Sequence, residues 1–399
     1  MPTNLEIVNK TDAHGAMNYL PLPVVLTRGE GVWVWDVEGR RYMDMLSAYS
    51  ALSHGHRHPR IIAALKEQAD AITLTSRAFH NDRLHELYER IAALSGLPKV
   101  LPMNTGAEAV ETAIKAARKW GYDVKGVAAD RAEIIACTNN FHGRTVTIIT
   151  FSTEEDYRRG FGPMTPGFRV VEYGDIDALA GAINENTVAF LVEPIQGEAG
   201  IRVPPEGYLR QARELCTKNR VLLMADEIQT GFGRTGRMFC CEHEGVKPDV
   251  MIMGKALGGG VIPVSAISGT DEVMDVFTPG IHGSTFGGNP LGAAVGVAAL
   301  DVLVEEKLAR RADEMGRHLM DKLRQLSSPH VKEIRGKGLL VGIDLEPEAG
   351  GARRFCEALM AEGILAKETH ESVIRLAPPL VISKEDLDWA IDRVRKVLS

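Results

Sequence analysis

Val250-Met251-Ile252-Met253-Gly254-Lys255-Ala256-Leu257-Gly258-Gly259-Gly260 is the stretch on which the reading of this chain turns. Four consecutive apolar residues predict a strand covered on both faces, as in a parallel sheet packed between helices. Gly254 ends the run, so Lys255 stands where the chain leaves the sheet. An ammonium buried there is costly unless it is paired or chemically modified. The same desolvation lowers its pKa and frees the neutral amine to attack an aldehyde. The glycines beyond it let backbone approach a bulky ligand. Taken alone, such a lysine reads most simply as solvated or snorkelling. Its neighbours change that.

Outward from this stretch, apolar runs at 133–137, 169–173, 188–192 and 221–225 alternate with amphipathic segments. Tyr208, Leu209, Ala212, Leu215 and Cys216 share one helical face, and alanines give 106–120 strong helix propensity. This alternation predicts an α/β fold, a mostly parallel central sheet with helices on both faces. Asp226 ends one of the strand runs and so falls on the sheet edge where ligands bind in such folds. A carboxylate there suits a protonated pyridine nitrogen, or serves as a plain cap. Glu227 beside it points to the other side and reads as structural. Asn104-Thr105-Gly106-Ala107-Glu108 opens the 106–120 helix, either as a phosphate cradle or as ordinary N-capping with Glu108 closing a capping box.

At 399 residues the chain is long enough for two or three subdomains. Lys and Arg number 46 against 53 Asp and Glu, a formal charge of -7, which argues against a general nucleic-acid partner. Local arginines can still bind carboxylates. The most apolar stretch, 291–304, is short and carries Asp301, so no membrane span is expected. Five cysteines without CxxC spacing read as reduced, buried thiols of a cytoplasmic protein. Beyond the sheet region come a long helical stretch at 290–326, short strands at 331–335, 339–343 and 373–376, and helices at 352–362 and 384–398. These predict a smaller α+β domain at 290–399, after a large domain at 50–289. The first 49 residues contain a hairpin at 31–42 turned at Glu38-Gly39, and are expected to pack with the tail.

Two motifs invite other readings. Gly231-Phe232-Gly233-Arg234-Thr235-Gly236 matches a dinucleotide-binding loop, but it lies too far past its strand and opens no good helix. His54, His56 and His58 have the spacing of a zinc strand, yet a turn and a helix start surround them and no cysteine or carboxylate is near. They read as structural histidines, and no metal is expected.

Glu193-Pro194-Ile195-Gln196-Gly197-Glu198, Ala225-Asp226-Glu227-Ile228-Gln229-Thr230-Gly231 and Gly254-Lys255-Ala256-Leu257, in this order, resemble the class III aminotransferases of pyridoxal-phosphate fold type I. Within the class the likeness is to enzymes that move the terminal amino group of ornithine to 2-oxoglutarate. It runs from about residue 16 to 383, through Ser47-Ala48-Tyr49-Ser50-Ala51 and His282-Gly283-Ser284-Thr285. The resemblance implies that Lys255 holds pyridoxal phosphate as a Schiff base and shuttles a proton. It implies that Asp226 pairs with the pyridine nitrogen, Gln229 bonds the phenolic oxygen and Phe141 stacks on the ring. Gly106 and Ala107, with Thr105 beside them, serve the phosphate. Ser284 and Thr285 complete that site, Thr285 from a partner subunit, so a homodimer with shared sites follows.

For the substrate, the resemblance assigns the ornithine carboxylate to Arg144 and its α-amine to Tyr19. Arg375 grips 2-oxoglutarate and is masked by Glu198 while ornithine reacts; Tyr49 shapes this gate. An unmasked guanidinium would admit the α end of any amino acid. Three places depart from the pattern: His142 stands where tryptophan is common, Leu20 replaces a polar residue, and Ser53-His54 replaces Asn-Gln. The rivals are a relative acting on N-acetylornithine or 4-aminobutyrate, a mutase or decarboxylase on the same fold, and a ligand-sensing regulator. The last would carry a basic DNA-binding segment, which this sequence does not show.

Overall fold

The structure, a computed structural model, describes residues 2–399. Near the N-terminus, β1 (Leu26–Glu30), β2 (Trp33–Asp36) and β3 (Arg41–Asp44) form an antiparallel sheet. Asp36 sets the turn between β2 and β3 by accepting the amides of Glu38 and Arg40, while Gly39 takes a left-handed φ of 85°.

The central sheet holds β4 (Lys99–Met103), β5 (Glu133–Cys137), β6 (Phe168–Val171), β7 (Thr187–Val192), β8 (Leu222–Asp226), β9 (Val250–Met253) and β10 (Ser265–Gly269). Their spatial order is β4-β10-β9-β8-β7-β5-β6. From β9 to β6 every pairing is parallel. Alternation along the strands divides two cores. Ile134, Ala136, Leu222 and Met224 join the alanine face of helix Gly106–Trp120. Ile135, Cys137, Leu223 and Ala225 join Tyr208, Leu209 and Ala212 of helix Tyr208–Lys218 on the other side. A layer of helix on each face is what buries β7, β8 and β9 completely.

A third sheet joins β11 (Val331–Lys337), β12 (Leu340–Leu345), β14 (Lys367–Thr369) and β15 (Val373–Leu376) in the order β11-β12-β15-β14. The short β13 (Ile364–Leu365) leaves it to pair in parallel with β3, tying the N-terminal sheet to the tail.

The expected strands and helices are present, with three differences. β10 runs against both β4 and β9, and the sequence pattern announces neither β4 nor β10 as a strand. Pro102 speaks against a strand, but β4 sits at the sheet edge, where proline is tolerated. Ser265-Ala266-Ile267-Ser268-Gly269 is too small-sided to announce itself. The helical stretch expected over 290–326 is divided into two helices, Pro290–Glu305 and Leu308–Arg324, separated at Lys307, whose φ is 54°. Glu305 and Glu306 oppose the dipole at that helix end and favour the break.

Gly316 shows how tightly the tail packs. It lies mid-helix, and a Cβ there would fall 2.2 Å from the carbonyl oxygen of Gly338. In an open helix Gly→Ala stabilises by about 1 kcal/mol. Here Gly316→Ala is expected to destabilise by about 2 kcal/mol. Thermal denaturation checks this; an unchanged or higher Tm would contradict the packing.

Candidate active site

Lys255 follows β9 through Gly254 and takes a left-handed φ of 44°, a conformation unfavourable for a side chain-bearing residue and held by its surroundings. It lines a cavity of about 150 Å³ with Asp226, Gln229, Phe141, Gly106 and Ala107. The cavity lies at the C-terminal edge of β8 and β9, so residues far apart in sequence converge as the sheet requires. Burial lowers the Lys255 pKa to about 8; the Glu198 carboxylate opposes that fall, and the Arg375 guanidinium adds to it. A useful fraction of neutral amine is thus present near neutral pH.

Asp226, the last residue of β8, is buried and doubly anchored. One oxygen accepts the Ile228 amide at 3.0 Å, and the other lies 2.6 Å from Nδ1 of His142. Burial pushes the His142 pKa down, but the hydrogen bond and charge of Asp226 overcome it and the net shift is upward. Glu193 completes the cluster. It accepts the Phe141 amide at 3.0 Å, and burial raises its pKa to about 7, with His142 opposing and Asp226 adding to the rise. Neither His142 nor Glu193 was singled out for a role from the sequence. The signal was available only in part: Glu193 opens a motif that was read, and His142 stood out as a departure.

Thr105 caps helix Gly106–Trp120 in a complete capping box with Glu108. The cap serves the Glu108 amide, which leaves the first two helix amides, those of Gly106 and Ala107, facing an anion's preferred position. Glycine is required nearby for a different reason. A Cβ on Gly197 would lie 1.5 Å from Oε1 of Gln229, so Gly197 makes room for that amide. Gln229 donates to Glu198 Oε1 at 3.1 Å and retains a second amide hydrogen.

The Glu198–Arg375 pair is closed. Arg375 Nη1 lies 2.5 Å from Glu198 Oε1, with the arginine buried. Burial would raise the Glu198 pKa, but Arg375 and then Lys255 hold it at about 2. Thr369 Oγ1 donates to the Glu198 carbonyl at 2.5 Å, and Arg335 Nε donates to that of Gly200 at 2.9 Å. Glu198 is therefore fastened to the third sheet, which also carries Arg375. Tyr49 closes the other side, its ring centroid 4.6 Å from the Arg375 guanidinium carbon. Ser47, Ala48, Tyr49 and Ser50 all have φ between 45° and 75°, a left-handed turn without glycine that costs on the order of 1–2 kcal/mol per residue.

Arg144 stands over the Tyr157 ring at 4.0 Å and the Phe141 ring at 5.6 Å. Tyr19 is exposed at 67% and lies in no part of the cavity wall. Ser284 accepts from Asn104 Nδ2 at 2.9 Å, and Thr285 is exposed; neither lines the cavity. The three histidines of the early motif have separate partners: His54 the Ala299 carbonyl, His56 Asp44 and His58 Glu306. Glu227 accepts the Thr230 hydroxyl and the Cys241 amide, away from the cavity.

Residues 14–398 match the family model for aminotransferase class-III. The ornithine aminotransferase of Geobacillus sp. (strain WCH70) is 61% identical over 399 residues, covering 100% of both chains. A solved ornithine aminotransferase of Toxoplasma gondii, with partial occupancy of PLP at its active site, superposes with a TM-score of 0.98 at 48% identity, covering 99% of this chain and 94% of that one. The acetylornithine aminotransferase of Elizabethkingia anophelis superposes at 0.91 with 49% identity, covering 100% and 99%.

The electrostatics of Lys255 can be titrated directly. Acylation of its amine in the cofactor-free protein, followed by peptide mass spectrometry across pH, should show a midpoint near 8. Glu198→Gln removes the charge that stabilises the ammonium, so the midpoint should fall. A midpoint at or above the ordinary lysine value, or an upward move in the variant, would contradict the assigned environment.

Proposed function

This chain belongs to the class III aminotransferases, and on that footing we propose that it transfers the 5-amino group of L-ornithine to 2-oxoglutarate. The products are L-glutamate and glutamate 5-semialdehyde, which cyclises to pyrroline-5-carboxylate. The observation that carries this reading is the closed Glu198–Arg375 pair beside Lys255. It joins a family-wide reaction centre to a carboxylate receptor that is hidden when closed.

The enzyme is pyridoxal-phosphate dependent, and the residues lining the cavity fit that cofactor. Their donor set holds one enclosed amine for an aldehyde, one anchored carboxylate for a ring nitrogen and a pair of helix-terminal amides for a phosphate. Bound there, pyridoxal phosphate supplies a ring that stabilises the negative charge left when a carbon beside nitrogen loses its proton. Lys255 would hold it through Nζ and, once released, would move that proton. Asp226 would hold a proton at the ring nitrogen, and His142 keeps Asp226 in place. Phe141 would cover the ring, and Gln229 would bond the ring oxygen with the hydrogen that Glu198 does not use.

In the first half of the cycle Glu198 neutralises Arg375, so the α-carboxylate of ornithine finds no cation near Lys255 and goes to Arg144 instead. Tyr19 receives the α-amine, and the terminal amine is left to react. In the second half the 2-oxoglutarate carboxylate displaces Glu198 from Arg375, a planar bidentate exchange suited to guanidinium. Tyr49 keeps that guanidinium oriented.

The reading extends to a cytoplasmic homodimer. Thr285 lies exposed beside exposed Phe286 and Ile281, which supports its reaching the phosphate of a second copy's site. The five cysteines are unpaired and buried, in keeping with a reducing compartment. No helix among the described residues is long and apolar enough to cross a membrane.

N-acetylornithine is the alternative donor, favoured by the likeness to an acetylornithine enzyme. Acetylation removes the charge on the α-amine. With 2-oxoglutarate as acceptor and pyrroline-5-carboxylate trapped, kcat/KM should favour ornithine over N-acetylornithine and 4-aminobutyrate by about tenfold or more. Preference for the acetylated donor would overturn the substrate assignment. Glu198→Ala, which unmasks Arg375, should raise kcat/KM for glutamate relative to ornithine by about tenfold. An unchanged ratio would remove Glu198 from the gate.

A further inference from the structure

The glycine-rich run Gly231-Phe232-Gly233-Arg234-Thr235-Gly236 has no part in the chemistry described, yet it holds one of the most completely buried charges in the chain. Arg234 is 0% exposed and forms no ion pair among the described residues. Burial lowers its pKa to about 9, with Asp44 opposing from a distance. A cation enclosed without a carboxylate partner is poorly explained by stability alone, since an apolar side chain fills such a space at less cost.

Its hydrogen bonds indicate another use. Nη1 donates to the carbonyls of Leu339 at 2.9 Å and Pro378 at 2.6 Å, and Nη2 donates to Ser53 Oγ at 3.2 Å. The Arg234 carbonyl in turn accepts the Leu339 amide at 3.0 Å. Pro378 lies three residues past Arg375, and Ser53 lies four past Tyr49. Those same two segments are already joined at both ends: Ala377 N donates to Met45 O at 2.7 Å, and Leu380 N to Ser53 O at 2.8 Å. Arg234 is the cross-brace between them, reaching from the large domain's post-β8 loop. The left-handed turn carrying Tyr49 is fixed at its other end by Asp44, which accepts the amides of Leu46 and Ser47 at 2.9 and 2.8 Å.

We propose that Arg234 is a positioning residue for the oxoacid's carboxylate: by bracing 45–53 against 377–380, it sets Tyr49 and Arg375 in the register that lets Glu198 mask the guanidinium and then yield it. The inference rests on the reading that Arg375 receives 2-oxoglutarate. A loosened brace disturbs the receptor for the acceptor and leaves the reaction centre at Lys255 and Asp226, on other strands, in place.

The test uses the holoenzyme with Arg234→Lys, Arg234→Met and Ser53→Ala. Arg234→Lys keeps the charge and loses the fork; Ser53→Ala removes one acceptor without emptying the site. For the Arg234 variants the KM for 2-oxoglutarate should rise about tenfold, with ornithine KM moving less than about threefold. The Kd for glutarate, an unreactive dicarboxylate followed by calorimetry, should rise in step. Ser53→Ala should shift the same ratio in the same direction by about twofold. Parallel changes for both substrates, or a lower Tm with the KM ratio and glutarate Kd unmoved, would overturn the proposal. If the Arg234 variants do not fold, Ser53→Ala decides alone: an unmoved ratio overturns it. Failure of the wild type to use ornithine would sink the substrate reading, while glutarate binding across the variants would still judge Arg234.

Discussion

An amine and a carboxylate, Lys255 and Asp226, held at the ends of neighbouring parallel strands, are the constraint on which the rest of this structure depends. β8 and β9 pair in parallel, with Asp226 opposite Ile252, so both charges emerge at one edge of a sheet buried on both faces. Neither group can be moved to solvent without breaking register, and a one-residue slip would turn each to the other side. The fold meets their desolvation locally. Asp226 has an imidazole and a backbone amide, and Lys255 has the field of Glu198 and Asp226.

The Glu198–Arg375 pair is built on different elements from Lys255 and Asp226. Glu198 follows β7 of the central sheet, but its carbonyl is tied to Thr369 and its side chain to Arg375, both of the third sheet. The Glu198–Arg375 pair therefore hangs on elements other than β8 and β9. In the proposed function, that separation is what lets two substrates be treated differently at successive steps. Strain sits beside these groups: Tyr49, in the left-handed run 47–50, lies against Arg375, and Lys255 itself is left-handed, while β7, β8 and β9 contain no positive φ.

Much of this was legible in the sequence, and unevenly. The strands from β5 to β9 and the helix at 106–120 declare themselves by apolar runs and alanine content. Lys255 and Asp226 stand out because each is a charge at the end of such a run. The N-terminal hairpin was visible in its turn, though its parallel pairing with β13 through Met43 and Ile364 was not. Arg375 and Glu198 are separated by 177 residues, so no local pattern links them, and the resemblance alone brought them together. His142 and Asp226, 84 residues apart, are likewise linked by no local pattern, and the resemblance did not pair them; only the fold does. Arg234 was seen only as part of a glycine motif of the wrong context; its burial depends on Ser53, Leu339 and Pro378, three segments that meet only in the fold.

The central claim is that Lys255 is the amine that carries the cofactor opposite Asp226. Borohydride reduction of the purified holoenzyme, followed by peptide mass spectrometry, tests it most directly. The account predicts a phosphopyridoxyl adduct on the peptide containing Lys255. An adduct on another lysine, or a cofactor-loaded protein that leaves Lys255 unmodified, would contradict it.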